Sequence, residues 1–359
     1  MAPAQRAGRV DWIDAARGIG IVLVVVGHVE GGLVDAGIQA ASSWAWPGYV
    51  IYCFHMPLFF WLAGLNVPHS LARGTRGFLP GKLWTIAYPY ALWSVIQGLV
   101  LVAASSVTNG QAHAGDLLAI GWRPMGQFWF LYVLMAYQVL ALLLRNRPGL
   151  LAGLAVIAFV GGALLPQGGL GERLSHNLLF FAAGVLLSAR MLSVRLLPVH
   201  ALAVRALVPA TTTIRDRNLP AWILGGAAGL GLAAALSGPR DGMNFDAPLA
   251  LPAAVCGIVL TVALAQALRG PALRLAVTLG RMSMTIYVMH VLAAAGTRIV
   301  LLKLQVAPSP VLFLFACTLV GVGAPMIVHV VLARADRLSV FGLGPRRARL
   351  AADAATQPA

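Results

Sequence analysis

Four ionisable residues stand in one strongly apolar run near the start of the chain: Asp14, Arg17, His28 and Glu30, within DAARGIGIVLVVVGHVE. A guanidinium holds anions through a fixed fork of donors, and an imidazole takes and returns a proton near neutrality. Arg17 and His28 are eleven residues apart. On a helix that is about three turns, so both project from nearly the same face, separated by about 16 Å along the axis. Asp14 lies one turn before Arg17, where a carboxylate pairs with a guanidinium. Glu30 is two positions from His28 and faces another way, as a residue marking the end of a span would. Spacing alone is also compatible with an arginine snorkelling to lipid headgroups and a histidine serving as an interhelical hydrogen-bond partner.

Further polar residues interrupt apolar surroundings. His55 stands beside Pro57 in FHMPLFFWLAG, where proline frees a carbonyl and the imidazole needs a polar partner, so both a kink and a site are open readings. Ser283, Tyr287 and His290 occur at i, i+4 and i+7 in SMTIYVMH, a single polar stripe if helical. Such a stripe serves equally as a site wall or as packing glue. Trp129 to Tyr132 form an aromatic run at an expected span boundary, the usual place for an interfacial belt. Cys53, Cys256 and Cys317 lie in apolar runs without metal-ligand spacing, so neither a disulfide framework nor a metal site is expected, and they read as packing residues.

The elements that must position these residues follow from composition. The chain has 359 residues, is 59% hydrophobic and only 10% charged, and its mean hydropathy is +0.83. Ordinary globular domains carry about 25% charged residues. The deficit is explained by helices of about 20 apolar residues crossing a bilayer. Apolar runs predict ten spans, near 15–34, 46–67, 83–105, 127–145, 149–166, 175–192, 220–236, 248–268, 283–303 and 310–334. The expected fold is therefore all-α and polytopic, with a segment 1–14, a helical membrane domain 15–334 and a basic tail 335–359 that is expected to be disordered at its end. The first span is expected to be retained, since no cleavage site follows a short apolar core.

Charge orients the spans. With the N-terminus cytoplasmic, 20 of the 26 basic residues fall in inside segments, and outside segments hold only Arg123, Arg173, Arg240 and Lys303. That is the positive-inside bias, and it predicts both termini in the cytoplasm. The net charge of +15 is spread singly rather than gathered into a stripe, which argues against a nucleic-acid partner. No internal repeat supports an inverted-repeat transporter.

Taken together, WIDAARGIGIVLVVVGH (12–28), FHMPLFFWLAG (54–64), YPYALWS (88–94), FWFLYVL (128–134) and SMTIYVMH (283–290) resemble the acyltransferase-3 family of membrane acyltransferases. The arginine, ten intervening residues and histidine of the first span are the most specific element. The opening and the FHMP segment look closest to the sugar O-acetyltransferase branch, which includes Nod-factor fucose and exopolysaccharide acetyltransferases. The resemblance implies ten helices and transfer of an acyl group, usually acetyl, from cytoplasmic acyl-CoA to a carbohydrate or lipid-linked glycan at the bacterial inner membrane. It implies Arg17 and His28 as the essential pair, with His55, Trp129, Tyr287 and His290 lining the site. No bound cofactor is implied, since acyl-CoA is a substrate.

On that reading His28 is general base to the acceptor hydroxyl, or less directly an acyl-accepting nucleophile. Arg17, steadied by Asp14, meets the coenzyme A end of the donor. Arg73, Arg76, Lys82, Arg274 and Arg281 are candidates for its phosphates, most of them serving as topology signals only. Ser283 joins the lining. The competing classes are acylation of a lipid, peptidoglycan or small molecule, and a transporter or flippase for a glycan intermediate.

Overall fold

The computed structural model describes residues 10–72, 74–103, 115, 118–196, 218–240 and 242–344, apart from the side chains of 190–196. Among these residues all regular structure is helical. The helices are α1 (Asp11–Asp35), α2 (Ala41–Leu65), α3 (Val67–Ala72), α4 (Phe78–Lys82), α5 (Tyr88–Ala103), α6 (Trp129–Leu143) and α7 (Pro148–Gly162). They continue with α8 (Leu170–Leu196), α9 (Leu219–Ser237), α10 (Leu251–Ala267), α11 (Gly270–Arg281), α12 (Ser283–Lys303) and α13 (Pro310–Arg334). A π-turn over Leu83–Ala87 joins α4 to α5 just ahead of Pro89. Proline offers no N–H to the preceding turn, and a wider turn accommodates it.

Each run expected to span coincides with a helix. Eight segments among the described residues are long and apolar enough to cross a membrane. The protein is a multi-pass membrane protein. The other two expected spans fall on α7 and α8. Helix α7 has 15 residues, about 22 Å of rise against a hydrocarbon core of about 30 Å. Helix α8 is longer, but Glu172, Arg173, Arg190 and Arg195 limit its apolar stretch to residues 174–189.

Helix α11 falls where the sequence reading has only a cytoplasmic link. Pro271 occupies its first turn, Ala276, Val277, Leu279 and Gly280 are buried, and Arg274 and Arg281 are exposed. At 12 residues with two charges it escapes any search for spanning runs.

The chain packs as two units. The first comprises Met1–Gly27, Ser42–Leu65 and Ile157–Ser283. Glycines bring its helices close: Gly18 of α1 lies on the Ala276 backbone of α11, and Gly280 of α11 lies on the Asp14 backbone. Gly64 of α2 and Gly184 of α8 meet each other's helices in the same way, and Gly257 of α10 receives the Phe54 ring. Without a hydrophobic drive between helices in lipid, such small residues let van der Waals contact hold a bundle. A core of Tyr49, Cys53, Phe54, Leu230, Ala234, Ala250 and Ala253 joins α2, α9 and α10, and Tyr49 and Ser237 share a hydrogen bond of 2.7 Å. All three cysteines are free, Cys53 and Cys317 buried.

The second unit comprises His28–Ala41, Asn66–Val156 and Met284–Ala359. Its segment 338–344 returns along the π-turn and α5. Tyr88 Oη donates to the Val340 carbonyl at 2.6 Å, Trp93 Nε1 to that of Phe341 at 3.0 Å, and Trp84 Nε1 to that of Gly344 at 3.4 Å. Arg298, one of the basic residues inside an expected span, donates to the Gly32 carbonyl at the end of α1. The basic tail beyond residue 344 and the first nine residues lie outside the described residues.

Candidate active site

In the second unit, a run of polar contacts converges on His28. His28 is half-buried and its ring centroid lies 5.0 Å from that of His290, tilted by 55°. His290 is fully buried. Its Nδ1 lies 2.7 Å from the Tyr287 carbonyl and 3.1 Å from the Ile286 carbonyl. Carbonyls only accept, so Nδ1 carries the proton and Nε2 of the neutral ring keeps a lone pair. Nε2 has no hydrogen-bond partner among the described residues.

Tyr287 is one turn back on α12. Its hydroxyl donates to the Gln127 carbonyl, and its ring sits edge-on to Phe128 and Phe130 and beside His290. The Gln127 side chain is in turn clasped by Gln97 of α5. The two amides exchange hydrogen bonds, Gln127 Nε2 to Gln97 Oε1 at 2.7 Å and Gln97 Nε2 to Gln127 Oε1 at 3.2 Å. Both are buried, and a buried amide left unpaired is costly, so this clasp holds the entry to α6 firmly. The chain Gln97–Gln127–Tyr287–His290 therefore fixes the ring against which His28 rests.

In the first unit, the start of α1 carries the other polar group. Asp14 is buried at 1% exposure and lies between two guanidiniums, with Arg17 Nη1 at 3.4 Å and Arg281 Nε at 3.4 Å. Arg281 also reaches Asp11 at 3.5 Å. Arg17 is partly exposed beside buried Asp14. The close glycine contacts of α1 with α11 are what bring Arg281 to Asp14.

The remaining residues singled out in the sequence are distributed as follows. His55 is buried in the first unit, its Nδ1 2.8 Å from the Ile51 carbonyl and its ring edge-on to Tyr52. Trp129 is half-buried at the start of α6 in the second unit. Ser283 opens α12, the helix that also carries Tyr287 and His290, whose rings lie 6.2 Å apart. Arg76 and Lys82 lie in the second unit, Arg76 exposed and Lys82 Nζ 5.2 Å from the Phe78 ring. Arg274 is exposed in the first unit, and Arg73 lies outside the described residues. No group of three or more metal-ligating side chains occurs among the described residues. Gln97 and Gln127 carry no motif, and only burial of two amides in apolar helices marks them.

Comparison with known proteins places the chain. Its residues 10–330 match the family model described as an acyltransferase domain, the acyltransferase-3 family. Nodulation protein NolL of Mesorhizobium japonicum is 28% identical over 138 residues, 36% of this chain and 34% of that protein. The match thus spans about a third of that relative's length. No solved structure matches. The chain belongs to the acyltransferase-3 family of membrane acyltransferases.

Proposed function

We propose that this protein is an O-acyltransferase that moves an acyl group, acetyl in the simplest case, from cytoplasmic acyl-CoA to a hydroxyl of an exported or cell-surface carbohydrate. The observation that carries the reading is the His28–His290 contact in a chain of this family: a half-buried imidazole held against a second one whose proton is committed to backbone carbonyls. Membership of the family supports acyl transfer, and the carbohydrate acceptor rests on the resemblance of the opening and FHMP segments to the sugar O-acetyltransferase branch. The ten-span topology with both ends in the cytoplasm of a bacterial inner membrane, with α7 and α8 crossing as a pair, rests on the distribution of basic residues.

His28 takes the proton of the acceptor hydroxyl as that oxygen attacks the thioester carbonyl carbon. The carbon–sulfur bond then breaks, and the coenzyme A thiolate leaves with the proton returned from the imidazolium. His290, with Nδ1–H directed to carbonyls, is a positioning residue that holds the His28 ring. Arg17 binds the donor's coenzyme A end, kept in place by Asp14.

The test is acetyl transfer by membranes carrying His28→Ala or Arg17→Ala at wild-type protein level. Loss of acetylated glycan by mass spectrometry is expected for both. Retained transfer in either variant overturns that residue's role, and acetyl-protein formed without acceptor replaces the general base by an acyl-histidine route.

A further inference from the structure

A second polar cluster occupies the first unit and adjoins the residues assigned above at Tyr52, whose ring lies edge-on to His55. It gathers around the loop 244–246 between α9 and α10. Asn244 Nδ2 donates to Glu172 Oε1 at 2.8 Å, and Glu172 Oε2 accepts the Gly168 backbone N–H at 2.6 Å. The Phe245 ring lies 5.0 Å from that of Tyr52. Asp246, its N–H held by Asn244 Oδ1 at 3.1 Å, places its backbone beside the His176 ring and its carboxyl within electrostatic reach of Arg173 and Glu172. Arg173 acts on Tyr52 as well. One short loop thus ties together α2, the start of α8 and the entry to α10.

His176 is the anomaly in this cluster. It is 2% exposed, packed between Phe159 and Phe180 at 5.3 and 5.4 Å, and neither ring nitrogen reaches full hydrogen-bond geometry among the described residues, although the Asp246 backbone acts on the ring. Asn177 beside it leaves Oδ1 unpartnered too. A phenyl ring would fill the same slot without stranding polar atoms, so the imidazole is costly to the fold. Polar groups kept at a cost to stability mark functional sites.

The chemistry of the cluster narrows the ligand. Two carboxyl groups against one guanidinium disfavour an anion, and the guanidinium, with no clustered metal-ligating set among the described residues, disfavours a cation. Mixed acceptors and donors beside the flat Tyr52–Phe245 pair match a neutral ring bearing many hydroxyls. Tyr52, Arg173, Asn244, Phe245 and Asp246 are half-buried, so the cluster is reachable rather than sealed.

We propose that Tyr52, Arg173, His176, Asn244 and Asp246 form a carbohydrate-binding site that recruits the acceptor glycan through its ring hydroxyls. The proposal rests on the carbohydrate acceptor put forward above, and on the orientation that puts the loop 238–247 on the outer side. Asp246, pushed up to about 7 by burial, with Arg173 opposing and Glu172 adding, acts as donor and acceptor alike near neutrality.

The test uses the full chain in detergent and, as probe, the surface glycan of the source cells stripped of ester acyl groups by mild base. Binding of this glycan and of acetyl-CoA is measured separately for wild type, Tyr52→Phe, Asp246→Ala and His176→Phe. We expect each variant to weaken glycan binding at least tenfold and leave acetyl-CoA binding within twofold, while His176→Phe raises the melting temperature. Glycan binding unchanged in all three variants, or absent in wild type, overturns the site. Lost binding accompanied by a lowered melting temperature in His176→Phe also overturns it, because the imidazole is then structural. Glycan bound as expected but never acetylated leaves the site standing and overturns the proposed reaction instead.

Discussion

Gly280→Ala is the most direct test of how the donor-side cluster is held. Helix α11 runs antiparallel across α1, with Gly280 on Asp14 and, one turn along each helix, Gly18 on Ala276. A methyl group at either glycine meets a backbone carbonyl rather than a flexible side chain, so no rotamer change relieves it and the helices must separate. Overpacking of this kind costs up to about 3 kcal/mol. Alanine returns about 1 kcal/mol through better helix propensity. The net is about 2 kcal/mol, roughly a 30-fold fall in the folded ratio. Because one separation accommodates both methyls, Gly18→Ala/Gly280→Ala together should cost clearly less than the sum of the two single variants. The control is Gly231→Ala on α9, where nothing lies within 4 Å of the added carbon. The assay is thermal unfolding in detergent alongside acetyl transfer, since displaced α11 withdraws Arg281 from Asp14. If Gly280→Ala melts no lower than Gly231→Ala, the close helix contact is not what holds this cluster, and the reasoning fails.

Other expectations follow from single contacts. Gln127→Leu should destabilise by about 1–3 kcal/mol, because the Gln97 amide is left buried without its partner. Adding Gln97→Leu should recover much of that loss, since two apolar side chains then face each other; thermal melts of the three variants check it. Asp246 has its pKa raised to about 7 by burial, countered by Arg173 and reinforced by Glu172. Its protonation favours the folded state, a contribution fully present below the ordinary carboxylate value and lost as pH rises through about 7. Asp246→Asn, a neutral mimic of the acid, should therefore flatten the fall in melting temperature between pH 5.5 and 8, whereas an unchanged slope would place the titration elsewhere. His290→Asn should lower acetyl transfer with the protein still folded, and full activity would show that the ring does not position His28.

Much of this was written in the sequence. Apolar run length revealed the positions of the helices because crossing a bilayer demands a long apolar stretch, which eight segments among the described residues meet. The three-residue step from Asp14 to Arg17 revealed their pairing because helical geometry is local. Helix α11 was hidden, as an amphipathic element of 12 residues looks like a charged link when only spanning runs are sought. The Gln97–Gln127 clasp and the contact of His28 with His290 were hidden for another reason. They join residues far apart in the chain, and no periodicity encodes which helix faces which. Arg173 read only as a basic residue of an outside segment, yet Glu172 beside it is bonded across to Asn244.

The segment 338–344 has a consequence for how relatives of this protein diverge. Trp84, Tyr88 and Trp93 grip it entirely through main-chain carbonyls, of Gly344, Val340 and Phe341. A carbonyl is the same on every residue, so mutation can rewrite this stretch without loosening it. Gly342 is the exception, with φ at 69° and its α-carbon against Pro89. Across descendants the segment should drift freely in its other side chains while its length, Gly342 and the two indoles and phenol that read it stay fixed.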